Sequence, residues 1–579
     1  MSCNEIKRRA RWTSSSVATI AVLAVAVACG RDGDGASQQG EVSKGWSPAQ
    51  TVSIAGVSAD DIRQAIQRRL HGTRPTEIAA DRWLHVQRLY NSYNGAPLWM
   101  EAEGPNKPRT NALLRAIVNA NDDALRLDAY PLPELVQAMG AVRDAKTPTA
   151  DQLADADVLL TATYVALAED LLGGQTDPKQ LSQNWHIDGS GRAERVDSAV
   201  ARSLRTAKLD EGIARMRPQY DDYAALQQSL DRFRGIVTKG GWPTVPSGKL
   251  LKRGEHDSAA RLGALRARLA AEGFGPDSSD STTRAAATVY DRALAGAVAD
   301  FQAHHGIVVD SILGDSTVQS LNVTAQYRLA QIAANLERLR WLPRDPGQRY
   351  IIVNVPAFRL QAYDSGQKVL EMKVIVGEEY EGKQTPVFAD TMQTVVFRPY
   401  WQITPNIQKN EIEPKIAADP GYLERNDMEY YKDGGETRIR QRPGDKNSLG
   451  LVKFLFPNDF NIYLHGTPEG QLFDKDVRAF SHGCIRLEKP EDLASWVLGW
   501  PLDRVTEYEH GDNNRSVRVP SRLPVYITYL TTYMRDGDLY FGNDLYGRDD
   551  KLVQQIASGS LASPEAAQNI DKLRKLVNE

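Results

Sequence analysis

Cysteine is scarce in this 579-residue chain: Cys3, Cys29 and Cys484 are the three. Only Cys484 lies far from the N-terminus, within NIYLHGTPEGQLFDKDVRAFSHGCIRL, residues 461–487. His465 precedes it by nineteen positions, at the end of a strand-like run and before a turn-rich connection. A thiol becomes a strong nucleophile when a base takes its proton and a polar environment stabilises the thiolate, and an imidazole within hydrogen-bond reach supplies both. Gly483 permits a tight turn that could aim the Gly483 and Cys484 amides at a substrate oxygen, and paired N–H donors of that kind form an oxyanion hole. Arg486 brings positive charge close by, able to lower the thiol pKa or to hold a substrate carboxylate bidentately. Together these residue types point to acyl transfer, with Cys484 as nucleophile and His465 as base.

Two plainer readings compete. His465, His482 and Cys484 are acceptable zinc ligands, but a single cysteine without a CxxC or HExxH pattern makes a poor zinc motif. A buried thiol serving only as a small hydrophobe is the other, and His, Gly and Arg within three positions make a poor apolar pocket for it.

The elements that must position these residues belong to a multidomain α+β chain. At this length two to four domains are expected. The formal net charge of -4 gives no support for a nucleic-acid footprint, although net charge says nothing about local patches; no nucleic-acid partner is expected. The N-terminus carries a basic flank (Lys7, Arg8, Arg9, Arg11) and then an apolar run from Val17 to Cys29, too short to span a bilayer and ending in small residues. Residues 1–29 therefore read as an export signal. Ala26-Val27-Ala28-Cys29-Gly30 resembles a lipoprotein cleavage box, which implies a periplasmic protein anchored through lipidated Cys29. A polar tether is expected over 30–50 and a helical scaffold over 51–250, closed by the Gly/Pro cluster GGWPTVPSG. Residues 256–323 form a small helical unit in which Phe301-Gln302, His305-Gly306, Gly314, Thr317 and Leu321-Asn322 resemble the three-helix peptidoglycan-binding module of cell-wall enzymes. His304 and His305, being adjacent, are weak candidates for a metal. A connecting helix follows at 324–345. Runs rich in Val, Ile, Phe and Tyr then mark a β domain over 346–510, with a polar insertion at about 404–450 read as a lid over a cleft. Strands and a helix packing on the body are expected over 515–579.

The motif His465, fifteen intervening residues, then Ser481-His482-Gly483-Cys484-Ile485-Arg486 resembles the L,D-transpeptidase catalytic domain, the YkuD family. The resemblance implies Cys484 as nucleophile, His465 as general base and the Gly466 carbonyl as orienter of the imidazole. It also implies Gly483 and Cys484 amides in the oxyanion hole, with Tyr463 as a further donor. His482 would orient the loop, and Ser481 and Arg486 would flank the substrate. The layout is similar to the large Gram-negative subgroup, which has a helical scaffold, a peptidoglycan-binding module and a mainly β catalytic domain with a capping insertion. Trp401 and Tyr400 are candidates for the cleft wall, and Tyr430 and Tyr431 for the lid. The expected reaction joins two peptidoglycan stem peptides, donor and acceptor, in a 3→3 cross-link through a thioester, releasing D-Ala, with no cofactor or metal. Other cell-wall synthesis enzymes are expected partners, and carbapenem-type β-lactams covalent inhibitors. The alternatives are a carboxypeptidase or endopeptidase that resolves the same acyl-enzyme with water, and a non-catalytic wall-binding protein.

Overall fold

In helix Ala59–His71 the apolar positions Ile62, Ala65, Ile66 and Leu70 recur at helical spacing, and all are buried. That pattern repeats in Ala80–Ser92, Lys107–Val118, Leu132–Asp144 and Val196–Leu204, which pack around helix Ala150–Gly173. The central helix is apolar on every side, as an element enclosed by others must be, and a capping box between Thr149 and Gln152 starts it. The computed structural model describes residues 47–48, 50–188, 195–275, 288–380, 382–557 and 563–578. The segment read as an export signal, with Cys3 and Cys29, and most of the expected tether lie outside the described residues. No helix among the described residues is long and apolar enough to cross a membrane.

The chain end returns to this first body: helix Pro564–Asn578 lays Ala566, Ile570 and Leu573 into the same apolar core. Helix Asp221–Thr238, by contrast, sends Tyr223, Leu226, Leu230 and Phe233 into the core of the catalytic sheet, packed on helix Ala325–Trp341. That connecting helix is buried at 15 of its 17 positions. Two of its arginines are ion-paired, Arg338 with Asp549 at 2.5 Å and Arg340 with Glu337 at 2.6 Å; Arg328 donates to the Gln331 amide oxygen at 2.8 Å, and Glu337 also accepts from the Thr176 N–H and hydroxyl.

Helices Ala259–Glu272, Arg292–His304 and Asp315–Leu321 build the small module around Leu262, Leu265, Val298, Phe301 and Leu321. Both of its adjacent histidines are structural. His305 is buried with Nε2 on Glu272 at 3.0 Å, and His304 stacks on Tyr540, ring centroids 4.3 Å apart.

The catalytic sheet closes on itself. In order its strands are Val452–Leu455, Leu464–His465, Ile485–Leu487, Gln367–Gly377, Arg359–Asp364, Arg349–Asn354, Arg515–Thr528 and Val387–Phe397, which pairs back with Val452–Leu455. Arg515–Thr528, assigned from sequence to the C-terminal tail, is thus a barrel strand: Val525–Thr528 pairs in parallel with Ile351–Asn354. A two-helix crossover, Pro490–Leu498 and Leu502–Glu509, separates it from the strands before it, and a parallel connection needs such a crossover.

The insertion is not a loop. Strands Trp401–Gln402, Glu436–Gln441 and Met428–Asp433 form their own sheet, short helical turns cover it, and Ile403, Ile412, Met428 and Ile439 make a separate small core. Its sequence looks polar because a core of four side chains leaves nearly every other residue at the surface.

Candidate active site

The site is one face of three neighbouring strands. Side chains alternate along a strand, so Val452, Phe454, Leu464, Ile485 and Leu487 fill the barrel, and the residues between them face outward. Leu464 lies opposite Ile485 and His465 opposite Arg486 in parallel pairing, while Lys453 lies opposite His465 in antiparallel pairing. Tyr463, His465, Cys484, Arg486 and Lys453 therefore share the outer face.

His465 is buried, at 4% exposure, and its Nδ1 lies 2.6 Å from the Gly466 carbonyl. A carbonyl only accepts, so Nδ1 carries the proton and Nε2 holds the free lone pair. The Gly466 backbone is itself wedged: a Cβ on Gly450 would sit 2.7 Å from the Gly466 carbonyl carbon. Burial, and after it the charges of Arg486 and Lys453, hold the imidazole down to about 3, so it is neutral.

Cys484 stays partly exposed, yet the protein crowding it pushes the thiol above its ordinary range. Burial outweighs the opposing pull of Tyr463, Lys453 and Arg486. The sulfur points at the Asn461 carbonyl, 3.7 Å away, and Tyr463 bonds it through backbone and side chain. Asn461 adopts a left-handed φ of 55°, which asparagine tolerates, and Asn458 ties down the surrounding turn with bonds to Phe456, Phe460 and Ile462. No hydrogen bond joins Cys484 to His465 among the described residues. The resting pair is a neutral thiol beside a neutral imidazole.

The turn before the cysteine alters one expectation. Ser481 is buried; its hydroxyl donates to the Cys484 carbonyl at 2.5 Å and accepts the Gly483 N–H at 3.1 Å. Gly483, at φ 112°, has the backbone geometry the turn requires, and Thr385 donates to its carbonyl at 2.9 Å. The Gly483 amide is thus already committed inside the turn and is not a free oxyanion donor here. Among the described residues the Cys484 N–H has no partner. Tyr463, whose phenol is kept protonated by burial, lies against Cys484 and so keeps a hydroxyl proton available to donate.

The remaining candidates separate. Arg486 is ion-paired with Glu469, and His482 turns away to Glu411 of the cap, Nε2 to Oε1 2.6 Å. His465, His482 and Cys484 are therefore engaged singly rather than gathered as a metal set. Ser481 shapes the turn instead of facing a substrate. Trp401 packs on the cap core, and Tyr400 and Tyr431 both receive the Arg440 guanidinium on their rings. Tyr430 is exposed. Sequence reasoning missed Lys453, Asn461, Thr385 and Glu411. Lys453 carried a signal, a lysine inside the strand-like run VKFLF; the other three act through backbone or distant contacts that no local motif marks.

Residues 348–527 match the family model described as "L,D-transpeptidase catalytic domain", YkuD; residues 85–230 match "Scaffold domain" and 258–321 "Putative peptidoglycan binding domain". A relative in Haemophilus influenzae named "Putative L,D-transpeptidase" is 31% identical over 274 residues, 42% of this chain. The match spans 55% of that relative's length. Among solved structures, the L,D-transpeptidase (residues 123–326) of Xylanimonas cellulosilytica is 15% identical and covers 49% of this chain and 99% of its own, with a TM-score of 0.16. The Ldtfm-avibactam carbamoyl enzyme is 13% identical and covers 32% of this chain and 51% of its own, with a TM-score of 0.15. The site face described above lies wholly within 348–527, and the chain carries an L,D-transpeptidase catalytic domain of the YkuD family, joined to a scaffold domain and a peptidoglycan-binding domain.

Proposed function

We propose that this chain forms 3→3 peptidoglycan cross-links through a Cys484 thioester. The observation that carries the reading is the shared outer face of Cys484, His465 and Tyr463, with the imidazole neutral and its Nδ1 proton committed to Gly466. The thiol gives its proton to His465 Nε2 as sulfur attacks the carbonyl of the third stem residue. The tetrahedral oxyanion takes the Cys484 N–H and the Tyr463 hydroxyl. The bond to the terminal D-Ala breaks, and its nitrogen leaves with the proton from His465. The side-chain amine of an acceptor stem then attacks the thioester and loses a proton to His465. The C–S bond breaks, and the sulfur recovers that proton.

The peptidoglycan-binding domain supports a wall polymer as substrate, and the basic flank and apolar run before Cys29 support export and lipid anchoring. The strained carbonyl of a carbapenem-type β-lactam would acylate the same thiol. The chain without residues 1–29 is incubated with tetrapeptide-bearing disaccharide fragments beside Cys484→Ala, and products are followed by mass spectrometry. A dimer lacking one D-Ala, absent from the variant, supports the reading. A tripeptide monomer alone replaces cross-linking with hydrolysis, and products unchanged in the variant remove Cys484 from the chemistry.

A further inference from the structure

Lys453 sits in the middle of the site face without an anion. Strand pairing places it between His465 on one side and Val396 on the other. Its Nζ lies 3.6 Å from the centroid of the Tyr463 ring, on the ring face that attracts cations. Among the described residues no carboxylate pairs with it. Withdrawing an ammonium from water without a counter-ion is unfavourable, and burial accordingly pulls the Lys453 pKa down. The opposing influence on it is the charge of Cys484.

The other cations near the thiol are committed or absent. Arg486 is neutralised by Glu469, the His482 ring is engaged by Glu411, and His465 is uncharged. Tyr463 is held protonated. Among the described residues on this face, Lys453 is the one cation near Cys484 that no carboxylate balances in the resting site.

We propose that Lys453 is an electrostatic positioning residue for Cys484: its ammonium, seated on the Tyr463 ring, balances the negative charge that the sulfur acquires when its proton leaves. It steadies Tyr463 from one side while Tyr463 bonds the sulfur from the other. Being otherwise unbalanced, the charge costs stability in the resting protein and is compensated when the thiolate forms. This inference rests on Cys484 as nucleophile, and the two fail separately, since turnover surviving Cys484→Ala removes the nucleophile whatever Lys453 does.

The test compares full-length wild type, Lys453→Met and Lys453→Arg. Alkylation of Cys484 by iodoacetamide is followed from pH 6 to 11 and read on the peptide that contains Cys484, so that Cys3 and Cys29 do not contribute. Lys453→Met is expected to move the midpoint up by about one unit, roughly a tenfold slower reaction at pH 8, and Lys453→Arg to restore most of it. Turnover should lose kcat with little change in KM, and the melting temperature of Lys453→Met should equal or exceed that of wild type. Superimposable alkylation profiles overturn the proposal. So does a raised KM with unchanged alkylation, which would make Lys453 a substrate anchor. Should Lys453→Met fail to fold, wild type decides. Iodoacetate should gain on iodoacetamide relative to glutathione, and the gain should fade in high salt; no such gain overturns the proposal.

Discussion

Glu411 of the cap reaches His482, two residues before Cys484, with Oε1 2.6 Å from Nε2 across 71 positions of sequence. Glu411 lies in a π-helical turn, a local widening that often marks functional positions. The cap otherwise keeps its own core, so this contact links a separately packed body to the loop bearing Cys484. Both side chains are about one-third exposed, which limits the pair to about 0–1 kcal/mol of stability. Its larger effect is expected on the reaction. Glu411→Ala should leave the melting temperature within about 2 °C and raise the ratio of hydrolysed to cross-linked product, because a loosened cap admits water to the thioester. Quantifying tripeptide monomer against dimer checks this, and an unchanged ratio would show that the contact does not govern water access.

The neutral pair at Cys484 and His465 fixes a pH profile unlike that of a preformed thiolate–imidazolium couple. His465 titrates near 3 in the folded protein against about 6.5 when unfolded, so the base is available throughout the physiological range. The kcat/KM for acylation should therefore show no acid limb near 6.5 and should decline only as pH falls toward 3. The thiol, raised by burial, should add no break below about 9. Stability runs the same way. Below about 6.5 the unfolded chain binds a proton that folded His465 refuses, so this contribution is complete above that pH and is lost as pH drops toward 3. Acid unfolding of His465→Gln should be shifted to lower pH. An acid limb near 6.5 in the acylation rate would show that the imidazole is exposed in the working enzyme.

How much of this was legible follows from how local each feature is. His465 and Cys484 were readable because their spacing is a motif, and the β character of the domain because Val, Ile, Phe and Tyr are concentrated in its strands; its closure was not, since the pairing of Arg515–Thr528 with Arg349–Asn354 joins segments far apart in sequence. Gly483 was read as an oxyanion donor since its flexibility is visible in sequence, whereas the Ser481 hydroxyl that occupies its N–H is a matter of three-dimensional direction. The cap read as a loop because four apolar residues spread between Ile403 and Ile439 give no periodic signal. Lys453 and Glu411 lie 31 and 73 residues from Cys484, and only strand pairing and the cap contact bring them near. The packing of helix Asp221–Thr238 on the core of the catalytic sheet was equally hidden, since its amphipathic face does not say which core it enters.

With Gly483 engaged by Ser481, the proposed reaction rests more of its oxyanion stabilisation on the Tyr463 hydroxyl. Tyr463→Phe keeps the ring under Lys453 and removes only the hydroxyl. Acylation by a carbapenem or tetrapeptide should fall about 10²–10³-fold, the range for one lost oxyanion donor, with the fold unchanged. Ser481→Ala should act differently, lowering stability by about 1–2 kcal/mol as two buried bonds are lost. Stopped-flow acylation together with thermal melts separates the two. A Tyr463→Phe enzyme within threefold of wild type would assign the oxyanion to backbone amides alone.

Asp549 tests whether the C-terminal segment is part of the catalytic body. Its carboxylate is fully buried and receives Arg338 at 2.5 Å, Thr531 at 3.0 Å and Gln331 at 3.0 Å, pinning the segment after the barrel to helix Ala325–Trp341. Asp549→Ala would strand the Arg338 guanidinium, itself 3% exposed, in the interior. Breaking a buried pair from one side costs about 3–5 kcal/mol, because the surviving charge is left uncompensated. Urea unfolding should show that loss, with Cys484 more rapidly alkylated in the native baseline, since the same segment reaches strand Gln367–Gly377, the neighbour of Ile485–Leu487, through the Tyr546 hydroxyl, which donates to the Gly377 carbonyl at 2.7 Å. Replacing Arg338 and Asp549 together with Leu should recover much of the stability. If Asp549→Ala instead unfolds as wild type does, the tail is an appendage and the barrel stands without it.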